Sequence, residues 1–170
     1  MSLHENKINW CLEKARKEME ENGIHKGLIK IKPERRLIED HIKKAEHNLK
    51  AMSDFKRIGY SDWSASAAFY SIYHCLLAII TKFGYESRNQ ECTFSLIYDL
   101  IEKNQLNLDK KVLEEVHSLK IGEKFEFPTI VEIREIEQYG VKLSLDDQIF
   151  DRLLRIAKEV LDKAKEILAE

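Results

Sequence analysis

The chain has 170 residues, of which 44% are hydrophobic and 34% charged, with a formal net charge of −2. That is enough for one domain with a buried core and too little for two comfortable ones, and it excludes a disordered chain. The charge argues against a protein that holds nucleic acid by a general basic excess, because such affinity grows with the number of phosphates neutralised.

Two prolines and six glycines punctuate the whole length, which favours a few long helices over many short strands. A first helix is predicted over 5–21, where Ile8, Cys11, Leu12, Ala15 and Met19 recur at helical spacing before Gly23. A short connection over 24–32 follows, with an extended reading at 28–31. Pro33 suits the first turn of a second helix running to about residue 58, with an apolar stripe of Leu37, Ile38, Ile42, Ala45, Leu49, Met52 and Phe55.

Ser61 or Asp62 is predicted to cap a third helix over 63–83, closed by Gly84. This helix is apolar nearly all round. Its run over 65–80 falls short of the roughly 20 residues that span a bilayer, so it reads as the central helix of a bundle. Residues 85–92 read as a polar loop, 93–103 as a fourth helix, and Asp109 as the cap of a fifth through Val112, Leu113, Val116 and Leu119.

The alternation over 121–127 is ambiguous between strand and loop. Pro128 opens a helical stretch through Ile130, Ile133 and Ile136 that Gly140 stops. Ser144 is predicted to cap the last helix, with Asp146 and Asp147 in its first turn, as the helix dipole prefers. The sum is an all-α, up-and-down bundle over 33–170 with an additional helical extension over 1–32.

Cys11, Cys75 and Cys92 are odd in number, far apart and without a CxxC pair. This spacing predicts neither a disulfide framework nor a zinc site, and it fits a reducing cytoplasm. Neither GxGxxG nor GxxxxGK[ST] occurs, and no cofactor or metal is expected. Glu114-x-x-His117 is half of a di-iron helix motif, but no second copy exists to complete it. Lys30, Lys32, Arg35, Arg36, Lys43 and Lys44 form the densest basic stretch, interleaved with Glu34, Glu39 and Asp40 as on a solvated helix face.

Four stretches occur together in a recognisable order: Ala45-Glu46-His47-Asn48-Leu49, Ala67-Ala68-Phe69-Tyr70-Ser71-Ile72-Tyr73-His74, Gly84-Tyr85-Glu86-Ser87-Arg88-Asn89, and Arg134-Glu135-Ile136-Glu137-Gln138-Tyr139-Gly140. From about residue 36 to 168 the chain resembles the HEPN family of nucleotide- and RNA-associated helical bundles. The resemblance implies a homodimer. It also implies association with a nucleotide, an RNA or a nucleotidyltransferase partner, in a toxin–antitoxin or defence setting.

Many relatives resemble metal-independent ribonucleases that use an R-x4–6-H motif. Here the positions after Arg88 where the histidine belongs hold Thr93, Phe94 and Ser95, and a histidine just after the loop is replaced by Gln90. Arg134 is followed at that spacing by Tyr139, Gly140 and Val141. Metal-free RNA cleavage needs a base for the 2′-hydroxyl and a cation for the phosphorane charge, and glutamine cannot exchange a proton near neutrality. The resemblance therefore implies a non-catalytic binding module, with Arg88, Asn89, Arg134 and Tyr139 as phosphate-binding candidates and Tyr70 and His74 bordering a groove. Two alternatives stay open: a divergent ribonuclease in which His74 or His117 is supplied in space, and a structural interaction scaffold.

Overall fold

The computed structural model describes residues 2–117 and 127–170. Helix α1 (Leu3–Asn22) starts at a capping box in which Ser2 Oγ accepts the Glu5 N–H and Glu5 Oε2 accepts the Ser2 N–H. Gly23 ends it in the left-handed conformation, which a residue without Cβ adopts at no steric cost. Strand β1 (Leu28–Lys30) then pairs antiparallel with β2 (Tyr85–Ser87) in the register Leu28↔Ser87 and Lys30↔Tyr85. The expected loop over 85–92 thus begins as a strand. Three residues are too few to show alternation, and the partner lies far away in sequence.

Helix α2 (Arg35–Arg57) begins after Glu34, which is extended. Pro33 therefore lies outside the helix and not in its first turn, correcting the expectation. A 3₁₀ turn (Ser61–Trp63) leads into α3 (Ser64–Lys82). Neither Ser61 nor Asp62 caps α3 through its side chain. Instead the Ser61 hydroxyl accepts the Leu145 N–H at 2.9 Å, tying the start of α3 to the chain before the last helix.

Helix α3 is buried along nearly its whole length. By length and composition the stretch 61–82 could cross a membrane, yet 83% of its apolar window is buried inside the bundle. Its most extensive partner is α2, followed by the last helix. Small residues let the first two approach closely: Ser71 Oγ donates to the Ala45 carbonyl and Ser64 Oγ to the Met52 carbonyl, both at 2.8 Å. Phe69, Ile72, Leu76 and Ile79 fill the space around them, with Phe94 from the next helix.

Helices α4 (Gln90–Glu102), α5 (Lys110–Val116), α6 (Ile130–Tyr139) and α7 (Asp147–Ala169) complete the bundle. Helix α4 starts three residues earlier than expected because Asn89 caps it. Asp109 caps α5 as predicted. Thr129 and Glu132 form a capping box on α6, and Asp146, not Ser144, caps α7. Of the ambiguous stretch 121–127, all but Phe127 lies outside the described residues.

The cysteine expectation is overturned. Cys11 on α1 and Cys92 on α4 form a disulfide with a Cα–Cα distance of 6.0 Å, leaving Cys75 free and buried. An odd count does not prevent one pair. Helix α1 lies against α4, helped by ion pairs of Lys7 with Glu91 at 3.0 Å and Glu5 with Lys103 at 2.9 Å. Linear spacing cannot report that juxtaposition.

Candidate functional site

The turn from β2 into α4, Ser87-Arg88-Asn89, is held on several sides. The Arg88 N–H donates to the Gly27 carbonyl at 2.9 Å, continuing the β1–β2 pairing. Asn89 Oδ1 accepts the Cys92 N–H at 3.0 Å as the helix cap, so this oxygen has structural work to do. The Thr93 hydroxyl lies 2.8 Å from Ser87 Oγ and 3.1 Å from the Tyr73 phenol, which anchors the turn to α3. Burial of that phenol pushes its pKa up, so it stays a neutral hydrogen-bonding group.

Arg88 itself is about half exposed. It borders a cavity of about 340 Å³ whose polar lining is His41, Thr81, Glu86, Ser87 and Arg88, over an apolar floor that includes Leu37 and Leu77. Arg88 Nε donates to Glu86 Oε1 at 3.1 Å. Among the described residues no group takes its two terminal nitrogens, which keep the paired N–H geometry suited to a phosphate or carboxylate.

Behind the cavity, His41 on α2 meets His74 on α3 with Nδ1 3.0 Å from Nδ1. Burial pushes both imidazoles below their ordinary value, His74 to about 4 with further help from the charges of His41 and Lys44. Asp40 and Glu86 pull the other way on His41 without reversing the direction. Both rings are therefore neutral at pH 7, and one Nδ1–H donates to the other ring's lone pair. The arrangement offers a cation and a neutral imidazole on one small cavity.

The predicted residues thus divide into two groups. Arg88 and Asn89 share the turn, and His74 joins that neighbourhood through His41. Arg134 does not: its side chain is 11% exposed and its guanidinium lies 4.3 Å above the Phe69 ring, and no α6 residue lines the Arg88 cavity. Tyr139, at the end of α6, is 79% exposed. Tyr70 is exposed on α3 with its ring edge-on to Phe69, one turn before His74.

Arg134 Nε and His117 Nδ1 are buried without a hydrogen-bond partner among the described residues, and His117 stacks on Phe94 at 4.4 Å. Burial lowers the His117 pKa, with the Arg134 charge adding to the shift. This second arginine–histidine neighbourhood has an aromatic wall formed by Phe69, Tyr73 and Phe94.

Sequence reasoning missed His41, Glu86 and His25. The signal for His41 was present: it follows Leu37 and precedes Ala45 by one turn each, on the stripe that faces α3. Glu86 and His25 depend on the pairing of β1 with β2, for which three-residue strands give no signal. The basic stretch behaves as a solvated face, with Arg35 paired to Glu39 at 2.8 Å and Lys43 to Asp40 at 3.8 Å.

The sequence matches the family model described as HEPN domain over residues 38–169, most of the chain and all of its central bundle. Among curated proteins none is similar enough to match. The chain belongs to the HEPN domain family, an all-α fold, and is in that general sense a nucleotide- or RNA-related module.

Proposed function

We propose that this HEPN chain is a non-catalytic binding module that takes the phosphate of a nucleotide or an RNA in the cavity beside Arg88. The observation that carries the reading is the pair of Arg88 terminal nitrogens, which no described residue takes, on a cavity of about 340 Å³. A bidentate arginine recognises a phosphate by both charge and shape. The broken R-x4–6-H motif supports binding over cleavage.

The chain is proposed to act as a homodimer, or beside a nucleotidyltransferase-type partner in a toxin–antitoxin or defence system. Supporting self-association, Trp63, Val141 and Leu143 are strongly exposed around one shallow cleft, with Tyr139 exposed on the same chain segment. A cytoplasmic location remains part of the proposal, though cysteine usage no longer argues for it. Disulfides inside cells are common in hyperthermophiles, which a Lys-, Glu- and Ile-rich composition suits.

Native mass spectrometry with a panel of nucleotides tests the reading. A nucleotide-sized adduct on the wild type that is lost in Arg88→Ala supports it. Equal adducts on both proteins count against the Arg88 cavity.

One observation favours a second reading, cleavage of RNA. His41 shares the Arg88 cavity and is backed by His74 at 3.0 Å, so a neutral imidazole stands where a base would be needed. In that mechanism His41 accepts the 2′-hydroxyl proton as the 2′-oxygen attacks the adjacent phosphorus, Arg88 stabilises the phosphorane charge, and the 5′-oxygen leaves with a proton from water. Metal-free cleavage of labelled single-stranded RNA, lost in Arg88→Ala and in His41→Ala, would establish it in place of the binding-only reading.

A further inference from the structure

The segment 3–30 precedes the residues that match the family model, yet it reaches the Arg88 turn from two directions. Its strand β1 pairs with β2, and the Gly27 carbonyl accepts the Arg88 N–H at 2.9 Å. Its helix α1 is bonded through Cys11 to Cys92, in the first turn of the helix that Asn89 caps. Gly27 seats the strand on α1: a Cβ at this position would stand 2.8 Å from the Cys11 carbonyl oxygen and 3.1 Å from the Ala15 Cβ, so only glycine permits the approach.

Within this frame His25 is buried, with 2% exposure, and its tautomer follows from its neighbours. The Gly27 N–H donates to His25 Nδ1 at 3.3 Å, which leaves the ring proton on Nε2. Nε2 then donates to Glu86 Oε1 at 3.2 Å, the same oxygen that receives the Arg88 Nε–H at 3.1 Å. Glu86 alone is a flexible side chain on a two-stranded ribbon. Held by a buried donor, its carboxylate fixes the direction from which Arg88 is gripped, and with it the direction of the two terminal nitrogens.

We infer that His25 is a positioning residue for the phosphate site: through Glu86 it orients Arg88 toward the cavity, so the N-terminal segment is a working part of the site. The inference rests on the reading of the Arg88 cavity as a phosphate site. The gain is one of preorganisation, since an arginine already held in its binding rotamer loses less side-chain freedom when an anion arrives.

The test titrates adenosine 5′-monophosphate into the full-length wild type, Arg88→Ala, His25→Ala and His25→Gln by isothermal calorimetry. The Arg88 Nε–H is followed in parallel by nitrogen-15 NMR. Glutamine places a donor close to where Nε2 stands but lacks the ring, so it separates positioning from packing. Positioning predicts three- to tenfold weaker binding and faster Arg88 Nε–H exchange in His25→Ala, with both restored toward wild type in His25→Gln. Should His25→Ala fail to fold, the comparison of His25→Gln with wild type decides: near-equal affinity and exchange are expected, and a loss in both overturns the inference. Loss of binding in Arg88→Ala with wild-type affinity in His25→Ala overturns it while leaving the phosphate site standing. Absence of binding by the wild type removes the site and the inference together.

Discussion

The imidazoles of His41 and His74, from neighbouring helices, meet Nδ1 to Nδ1 at 3.0 Å behind the cavity that Arg88 borders. Two charged rings at that distance would repel, and burial already disfavours the charged form of each. The pair is thus stable as a donor and an acceptor and unstable once both are protonated.

A pH dependence of stability follows. The folded His74 sits at about 4, below the ordinary histidine value near 6.5, so the unfolded chain binds more protons between those limits. Stability is fully present above about pH 6.5 and declines as pH falls toward 4. Allowing for solvent around a half-buried ring, the loss is roughly 1–2 kcal/mol. Urea denaturation at pH 7.5 and 4.5 measures it, and His74→Gln should flatten the difference.

The Cys11–Cys92 bond closes a long loop, with a sequence separation of 81. Constraining an unfolded chain at that span is worth about 2–4 kcal/mol. Cys92→Ser and treatment of the wild type with dithiothreitol should lower the denaturation midpoint by similar amounts. Dithiothreitol should have no further effect on the variant.

The close approach of α2 and α3 depends on small side chains at the crossing. Ser71 is fully buried and donates to the Ala45 carbonyl at 2.8 Å. Ser71→Ala removes one hydrogen bond and should cost about 1 kcal/mol. Ser71→Leu has to push the helices apart and should cost about 1–3 kcal/mol or more. Equal costs in chemical denaturation would contradict this account of the packing.

Arg134 is a nearly buried cation whose Nε has no acceptor among the described residues and whose ion pair to Glu135 is long at 3.7 Å. A buried charge without good partners is expensive, and an apolar replacement of similar length is often neutral or stabilising. Arg134→Met, which keeps the contact with Phe69, should leave thermal stability unchanged or raise it by about 1 kcal/mol. A fall of several kcal/mol would show that the guanidinium stabilises the core.

Much of the fold was legible because long amphipathic helices announce themselves. The stripe from Leu37 to Phe55 and the apolar run over 65–80 define α2 and α3 almost without ambiguity. Boundaries failed at polar helix starts: Asp146 took the cap role assigned to Ser144, and Asn89 caps α4 three residues before the start placed at residue 93. Of the candidate site, about half was legible. Arg88 stood out in the glycine-ended loop and His74 on the central helix. Their link runs through His41, whose place on a buried stripe reads as packing until α3 is laid against it. The β1–β2 ribbon and the disulfide join residues far apart in the chain, and local periodicity carries no information about such pairs.

The central claim is that the Arg88 side chain supplies the phosphate contact of this HEPN chain. The most direct measurement is calorimetric titration of 5′-nucleotides into the wild type and Arg88→Ala, with the melting temperature of each recorded. The account predicts saturable binding by the wild type and its loss in the variant at nearly unchanged melting temperature, because Arg88 is exposed and its ion pair to Glu86 contributes little to stability. Identical isotherms for the two proteins would contradict it and move attention to the Arg134–His117 neighbourhood.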